Sequence, residues 1–327
     1  MKNKKIIIAG GSGFIGQAIA NYFGAENNIV ILGRQLANQQ TNAFGVIALE
    51  PAVLKNTRFV KWDGKTQGEW TKELNGADLL LNLAGKTVNC RYTKKNKQEI
   101  FDSRTNAVKA LGIAVQQCVK PPLVWMNAAS ATIYPFATDT ARDESFTAFA
   151  DDFSVQVCKL WEETFFAQRT PFTRKIALRM AITLGKGGVM KPYYNLLKFG
   201  LGGRQGSGKQ LYSWIHIEDT CRIIEWLFNH TDMEGVYNLS SPGAVTNAGF
   251  MQTLRKATGH SCGLPAYEWM LRIGAKIIGT EPELVLKSRW VFPAKLLDAG
   301  YTFKYPELTA AVEQIVSQAD KKEFQLF

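Results

Sequence analysis

The sequence predicts an α/β fold built on a doubly wound parallel sheet. Runs of strand character alternate with helical segments through the first half of the chain, as in sheets covered by helices on both faces. The first such run leads directly into a glycine-rich turn. The chain has 327 residues, of which 46% are hydrophobic, so it can bury the core that such a sheet needs.

The N-terminal segment KKIIIAGGSGFIGQAIA, residues 4–20, has two interpretations. Lysines, an apolar run and small residues outline a secretory signal peptide. However, glycines at positions 10, 11, 13 and 16 interrupt the run, and glycine has a low helix propensity. We therefore predict a buried strand over Ile6–Ala9, a turn, and a helix over Phe14–Phe23.

The glycines of this turn have the spacing of a dinucleotide site. Gly11, Gly13 and Gly16 fit G-x-G-x-x-G, and Gly10, Gly13 and Gly16 fit the wider pattern G-x-x-G-x-x-G. Such glycines let the backbone N–H groups at a helix start approach a pyrophosphate. The pattern predicts a Rossmann-type sheet and a cofactor bound by the following residues: Gly10, Gly13, Phe14, Ile15 and Gly16.

The later elements continue the alternation. The expected further strands are Ile29–Leu32, Arg58–Trp62, Leu79–Leu83, Leu123–Asn127 and Arg174–Leu184. The expected long helices between them are Thr93–Gln117 and Phe153–Arg169.

A change of composition after residue 185 predicts a second, smaller unit. Residues 198–210 are rich in glycine and basic residues and are expected to form a mobile loop, whereas 211–219 regain strand character. Prolines separate short helices in the final third. We assign 1–185 plus about 211–245 to the nucleotide-binding domain, and 186–210 with 246–327 to a cap over the ligand crevice.

The end of the second strand indicates which nucleotide is bound. NAD sites of this plan place an acidic residue there, but this chain has Arg34, which either lies in the loop without a ligand or binds the 2′-phosphate of NADP(H). We predict NADP(H). Asp63 is expected near the adenine, and Leu83, Ala84 and Gly85 near the ribose.

Composition excludes several other classes of protein. The net charge is +11, which suits an anionic ligand or a solvated basic face, but no nucleic-acid-binding motif accompanies it. No apolar run reaches the roughly 18–20 residues of a membrane span. Five cysteines without metal-ligand spacing predict free thiols in the cytoplasm, and no pattern among the three histidines predicts a metal.

Motifs along nearly the whole chain resemble those of the extended short-chain dehydrogenase/reductases, which include nucleotide-sugar epimerases. The general match is carried by LNLAG (81–85), SATIY (130–134), LRMAITLG (178–185), WIHIED (214–219) and YNLSSP (237–242). A narrower match, to "epimerase family" proteins with a C-terminal domain of unknown function, is carried by SRTNAVKAL (103–111), VCKLWEE (157–163), GSGKQLYSWIHIED (206–219) and RWVFPAKLLDAGYTFKYPEL (289–308). The resemblance implies NADP(H) binding.

The resemblance also implies a catalytic serine, tyrosine and lysine. Ser130 matches the serine and Lys159 the lysine, but Val155 stands at the tyrosine position. Valine cannot transfer a proton, so another group does this work or the protein performs no hydride chemistry. The candidates for a replacement proton donor are Tyr134, Cys158, Glu162 and Glu163.

A second departure concerns the substrate. Related sugar-nucleotide enzymes carry an arginine before the H-x-x-D motif of His216 and Asp219, where this chain has Tyr212 and Ser213. We therefore expect an NADP(H)-dependent oxidoreductase or epimerase-like enzyme for a small polar metabolite that is not identified. The alternative is an NADP(H)-binding regulator without catalysis, and a nucleic-acid binder would rest on charge alone.

Overall fold

The computed structural model describes residues 1–34, 49 and 51–325, which contain eleven strands and eleven α-helices. The strands are β1 Lys5–Ala9, β2 Asn28–Gly33, β3 Thr57–Lys61, β4 Leu79–Asn82, β5 Val124–Ser130, β6 Arg174–Met180, β7 Ile182–Leu184, β8 Leu211–Tyr212, β9 Trp214–His216, β10 Gly235–Leu239 and β11 Val245–Thr246.

The helices alternate with these strands. They are α1 Phe14–Phe23, α2 Pro51–Lys55, α3 Lys94–Gln116, α4 Phe153–Phe166, α5 Met190–Lys198, α6 Ile217–Asn229, α7 Asn247–Ala257, α8 Glu268–Ile278, α9 Glu283–Leu286, α10 Ala294–Asp298 and α11 Leu308–Ser317. Side-chain caps define several starts: Thr93 accepts a hydrogen bond from the N–H of Asn96 at α3, and Asp152 accepts one from Val155 at α4.

The main sheet has seven parallel strands in the order β10-β6-β5-β4-β1-β2-β3, which confirms the predicted fold class. The chain runs from β1 outward to β3 and then returns to β4 on the other side of β1. All seven strands end at the same edge of the sheet, and the reversal between β1 and β4 opens a crevice there, where sheets of this type bind ligands.

Both faces of the sheet are buried. Ile6 and Ile8 lie in one apolar cluster with α1 and α6, and Ile7 and Ala9 lie in another with α3 and α4. Strands covered on both faces are apolar along their length rather than alternating, which is why the sequence shows continuous runs of isoleucine and leucine.

Two predicted strands are interrupted in the structure. The prediction of one strand over Arg174–Leu184 is wrong at Ala181, whose N–H donates to the carbonyl of Leu239, after which the chain leaves the main sheet and β7 pairs with β9. Residues 211–219 form β8 and β9 and then begin α6. Acidic residues in the first turn of α6 suit the positive end of the helix dipole and end the strand there.

Segment 198–210, which we expect to form a mobile loop, alternates between buried and exposed residues. Its glutamines Gln205 and Gln210 are both buried, and the amide of Asn247 donates to the side-chain oxygen of Gln205. Among the described residues, no helix has both the length and the apolar character to cross a membrane.

Part of the C-terminal region that we assigned to the cap packs against the main sheet. Leu296, Tyr301 and Phe303 pack into the apolar cluster of the main sheet, although we expected 246–327 to belong to the cap. The buried carboxylate of Asp219 accepts hydrogen bonds from the backbone N–H groups of Lys304 and Tyr305, which holds this segment against α6.

Candidate cofactor and substrate site

The turn after β1 requires glycine at two positions. Gly10 has φ +76°, and a Cβ there would lie 2.7 Å from the backbone of Ala84. A Cβ on Gly16 would lie 2.4 Å from the Cα of Gly11, so this glycine lets α1 approach the turn closely. These contacts account for two of the predicted glycines by packing within the protein.

Gly13 differs because its Cβ position is open. Apart from the chain neighbours of Gly13, no atom of the described residues lies within 4 Å of it, and Gly13 caps α1 without a side-chain hydrogen bond. The first turn of α1, with Phe14 and Ile15, contains no acidic residue. The first N–H groups of a helix have no partner within it, so those at the start of α1, together with the positive end of the helix dipole, suit an anion such as a pyrophosphate.

The ends of β2 and β3 place basic residues together. Gly33 pairs with Lys61, and the exposed Arg34 follows Gly33 directly. Asp63 is also exposed, but its carboxylate accepts hydrogen bonds from the backbone N–H groups of Lys65 and Thr66. These hydrogen bonds, chiefly the one from Thr66, hold the pKa of Asp63 below its usual value and tie its side chain to the loop.

The segment after β4 completes the crevice. The N–H of Leu83 donates to the carbonyl of Ala9, and the N–H of Ala84 donates to the side-chain oxygen of Asn82. A Cβ on Gly85 would lie 3.4 Å from the guanidinium carbon of Arg104. The predicted ribose-side residues therefore lie beside the glycine turn.

Ser130 and Lys159 lie on neighbouring elements. Ser130 ends β5 and lines a cavity of about 200 Å³ at the carboxyl edge of the sheet. Lys159 is half-buried on α4 and has no hydrogen bond or ion pair with the other described residues. Val155 is completely buried among apolar side chains and does not reach the cavity.

Tyr134 does not lie at the cavity. Its side chain is fully buried, and its hydroxyl donates to the side-chain oxygen of Asn238 at 2.9 Å and accepts from Arg179 at 2.8 Å. Burial raises the pKa of Tyr134 above its usual value despite the neighbouring guanidinium. With its hydroxyl occupied on both sides and away from the cavity, Tyr134 is poorly placed to protonate a substrate there.

The other candidate proton donors are also absent from the cavity lining. Glu162 makes two hydrogen bonds to Arg179, at 2.8 and 2.7 Å, in a buried ion pair that sequence patterns did not reveal. Burial lowers the pKa of Arg179, but the hydrogen bonds and charge of Glu162 outweigh it and raise that pKa overall. Glu163 is exposed on the other side of α4.

Cys158 lies just beneath the cavity. Burial raises the pKa of its thiol to about 12, although the nearby arginines Arg104 and Arg289 and a hydrogen bond with Ser130 lower it. A buried thiol with such a pKa is protonated at neutral pH and is not a nucleophile.

Three charged residues of the cavity lining come from the C-terminal region and were not among the predicted site residues. They are Glu283 on α9, Lys287 and Arg289. The Glu283 carboxylate accepts a hydrogen bond from Ser154 at 2.6 Å, and Lys287 pairs with Asp152 at 2.5 Å. Arg289 is the first residue of the segment RWVFPAKLLDAGYTFKYPEL. The resemblance of this segment to the subgroup was the sequence signal that could have indicated Arg289.

His216 and Asp219 have structural positions. The Nδ1 of His216 accepts from the N–H of Glu218 at the start of α6, and its Nε2 lies 2.9 Å from the side-chain oxygen of Gln314. Burial lowers the pKa of His216, which favours a neutral ring. No group of three or more histidine, cysteine, aspartate or glutamate side chains in the described part of the chain could hold a metal ion.

Matches to known proteins cover nearly the whole chain. Residues 6–240 match the model of the NAD dependent epimerase/dehydratase family, and residues 268–315 match a domain of unknown function, DUF1731. The chain is 31% identical over 316 residues to epimerase family protein SSP1921 of Staphylococcus saprophyticus, which covers 96% of this chain and 99% of that protein.

Solved structures extend the comparison. The crystal structure of human epimerase family protein SDR39U1 with NADPH superposes with a TM-score of 0.81 at 26% identity, covering 96% of this chain and 99% of the human one. A UDP-N-acetylglucosamine 4-epimerase from Methanobrevibacter ruminantium gives a TM-score of 0.76 at 16% identity over 97% of this chain and 98% of that one, which is a likeness of fold.

Proposed function

Because the chain belongs to the NAD-dependent epimerase/dehydratase family, we propose that it is an NADP(H)-dependent oxidoreductase or epimerase-like enzyme for a small polar metabolite. The observation that carries this proposal is the open start of α1 at Gly13, at the same sheet edge as the cavity lined by Ser130. A cofactor along this edge would extend from the glycine turn towards that cavity.

The residues present fit a nicotinamide dinucleotide. The N–H groups of the first turn of α1 would hold the pyrophosphate, and Leu83 to Gly85 would line the ribose side. When bound, such a cofactor would supply hydride chemistry at a substrate carbon. Ser130 would hydrogen-bond a substrate oxygen in the cavity, and the ammonium of Lys159, which has no partner among the described residues, would bind a cofactor hydroxyl.

NADP(H) rather than NAD(H) is supported by charge. Arg34 and Lys61 lie at the ends of adjacent strands, and Arg34 stands where an NAD site has a carboxylate. A guanidinium is always charged and suits a phosphate. The human relative solved with NADPH is consistent with this choice.

Replacing Arg34 tests the cofactor preference. Arg34→Asp should weaken NADPH binding at least tenfold, about 1.4 kcal/mol, and strengthen NADH binding, because the new carboxylate repels the 2′-phosphate and accepts from a ribose hydroxyl. Fluorescence titration with both cofactors measures this. Arg272→Asp, at an exposed arginine of α8, is the matched control and should change neither affinity. Unchanged preference in Arg34→Asp would remove Arg34 from the site.

A second candidate function, an NADP(H)-responsive regulator, is favoured by one specific observation. Val155 is buried in an apolar cluster, and Tyr134, Cys158, Glu162 and Glu163 all lie outside the lining of the cavity. Such a protein would bind the oxidised and reduced cofactors with different affinities and would convert no substrate.

Following the hydride distinguishes the two functions. NADPH labelled with deuterium at nicotinamide C4 is incubated with the protein and a metabolite extract, and deuterated products are sought by mass spectrometry. The enzyme predicts a labelled metabolite, and loss of labelling in Ser130→Ala, because the substrate oxygen then loses its hydrogen-bond partner. If the Ser130→Ala variant gives as much deuterated product as the unchanged protein, the assignment of Ser130 fails. Tight NADPH binding without any transfer would favour the regulator.

The five cysteines support the expected cytoplasmic location, because all are unpaired and Cys262 is exposed.

A further inference from the structure

Among the described charged groups of the cavity lining, Arg289 alone lacks a close partner. Its Nε and Nη2 atoms each lie 3.4 Å from the carbonyl oxygen of Thr132, a long contact for a hydrogen bond. Within the described part of the chain it forms no ion pair, whereas Lys287 is paired with Asp152. A half-buried guanidinium with spare N–H donors therefore faces the cavity.

Neighbouring negative charges offset only part of the cost of burying the Arg289 charge. Burial lowers the pKa of Arg289, and the attraction of Asp152 and Glu283 only partly offsets it. The side chain remains charged at neutral pH, because an arginine keeps its proton in proteins. An anion in the cavity would supply the missing partner.

The remaining charges of the lining limit the anion to a single negative charge. Lys287 and Asp152 neutralise each other, so Arg289 and the carboxylate of Glu283 are left to act on a ligand. One carboxylate can pair with the planar guanidinium through two hydrogen bonds. A second negative charge in this small space would be repelled by Glu283, which is better placed to accept a hydrogen bond from a substrate hydroxyl.

The size of the cavity limits the ligand further. Its volume is about 200 Å³. Pockets for drug-sized ligands usually measure about 300–1,000 Å³. A molecule of a few carbon atoms fits, whereas a nucleotide sugar would have to extend well outside the cavity.

We propose that the cavity recognises a small monocarboxylic acid carrying a hydroxyl or oxo group, with Arg289 binding the carboxylate. Ser130 and Glu283, on the other elements of the lining, then face the oxygen of the alcohol or carbonyl. This inference rests on the proposed function, in which that oxygen belongs to the carbon that exchanges the hydride.

The test compares an acid with its neutral amide. Lactate, lactamide, malonate and inorganic phosphate are titrated into the protein saturated with NADP⁺, and binding is followed by ligand-observed NMR. We expect lactate to bind at least tenfold more tightly than the other three, because only lactate combines one negative charge with a neighbouring hydroxyl. Arg289→Met, which keeps the apolar stem, should remove this preference, and Arg289→Lys should keep part of it.

Two further variants test whether the effect is specific to Arg289 and whether Glu283 repels a second negative charge. Arg272→Met makes the same chemical change at an exposed site and should leave lactate binding unaltered. Glu283→Gln removes the repelling charge and should bring the affinity for malonate closer to that for lactate. A thermal unfolding curve for each variant shows whether it is folded.

The outcomes separate this inference from the proposed function. NADPH binding together with equal affinities for lactate and lactamide, or with no lactate binding, overturns the carboxylate site and leaves the cofactor site standing. Tighter binding of phosphate than of lactate, or unchanged lactate binding in Arg289→Met, overturns it as well. Absence of NADPH binding in the unchanged protein would instead contradict the proposed function.

Discussion

Gly13→Val should weaken NADPH binding about 100-fold, which is about 2.7 kcal/mol, without unfolding the protein. Apart from the chain neighbours, no atom of the described residues lies within 4 Å of the new Cβ, and the backbone conformation of Gly13, φ −83° and ψ 174°, is accessible to any residue. The valine side chain would therefore occupy space that only a ligand uses. Calorimetric titration of NADPH measures the loss, and urea denaturation should give a free energy of unfolding within about 1 kcal/mol of the original.

Gly16→Ala is the matched control for this prediction. Its Cβ would lie 2.4 Å from the Cα of Gly11, in backbone that cannot move aside. We expect it to lower the free energy of unfolding by about 1–3 kcal/mol through overpacking. If Gly13→Val lost stability instead and kept its affinity for NADPH, the open start of α1 would not be the pyrophosphate site.

Arg179→Met should give the largest loss of stability, about 3–5 kcal/mol. The exposed fractions of the Arg179 and Glu162 side chains are 6% and 9%, so removal of the guanidinium leaves a buried carboxylate without its partner. The hydroxyl of Tyr134 loses a donor in the same step. Urea denaturation at neutral pH measures the effect.

Two further variants compare the stability contributed by this buried ion pair with that of an exposed ion pair. Adding Glu162→Leu to Arg179→Met should recover most of the lost free energy, because no charge then remains buried. Arg272→Met breaks an ion pair whose side chains are 64% and 55% exposed and should change stability by less than about 1 kcal/mol. Equal losses in Arg179→Met and Arg272→Met would show that Glu162 remains solvated.

The geometry of the glycine turn and its neighbours could be predicted because its signals are local. The glycine turn, the strand before it and α1 follow one another within about twenty residues, and each is specified by its own side chains. Helix starts were also predictable within a residue, since Thr93 and Asp152 cap α3 and α4 with side chains adjacent in sequence.

The lining of the cavity at Ser130 could not be predicted because its contacts are distant in sequence. Tyr134 was a reasonable candidate beside Ser130, but its hydroxyl binds Asn238, 104 positions away. Glu283 and Arg289 line the cavity, but in the sequence they come after the last strand of the sheet and several further helices. Spacing along the sequence carries no information on such contacts.

The return of the C-terminal segment to the main sheet has a consequence for biosynthesis. The last strand of that sheet, β10, ends at Leu239, but the apolar side chains of Tyr301 and Phe303 that close one of its faces are made about 60 residues later. At about 5–20 residues per second, a ribosome needs several seconds to add them. During this interval the nascent sheet has an incompletely covered apolar face, so a chain that stops before Phe303 is expected to aggregate rather than to form a stable nucleotide-binding domain.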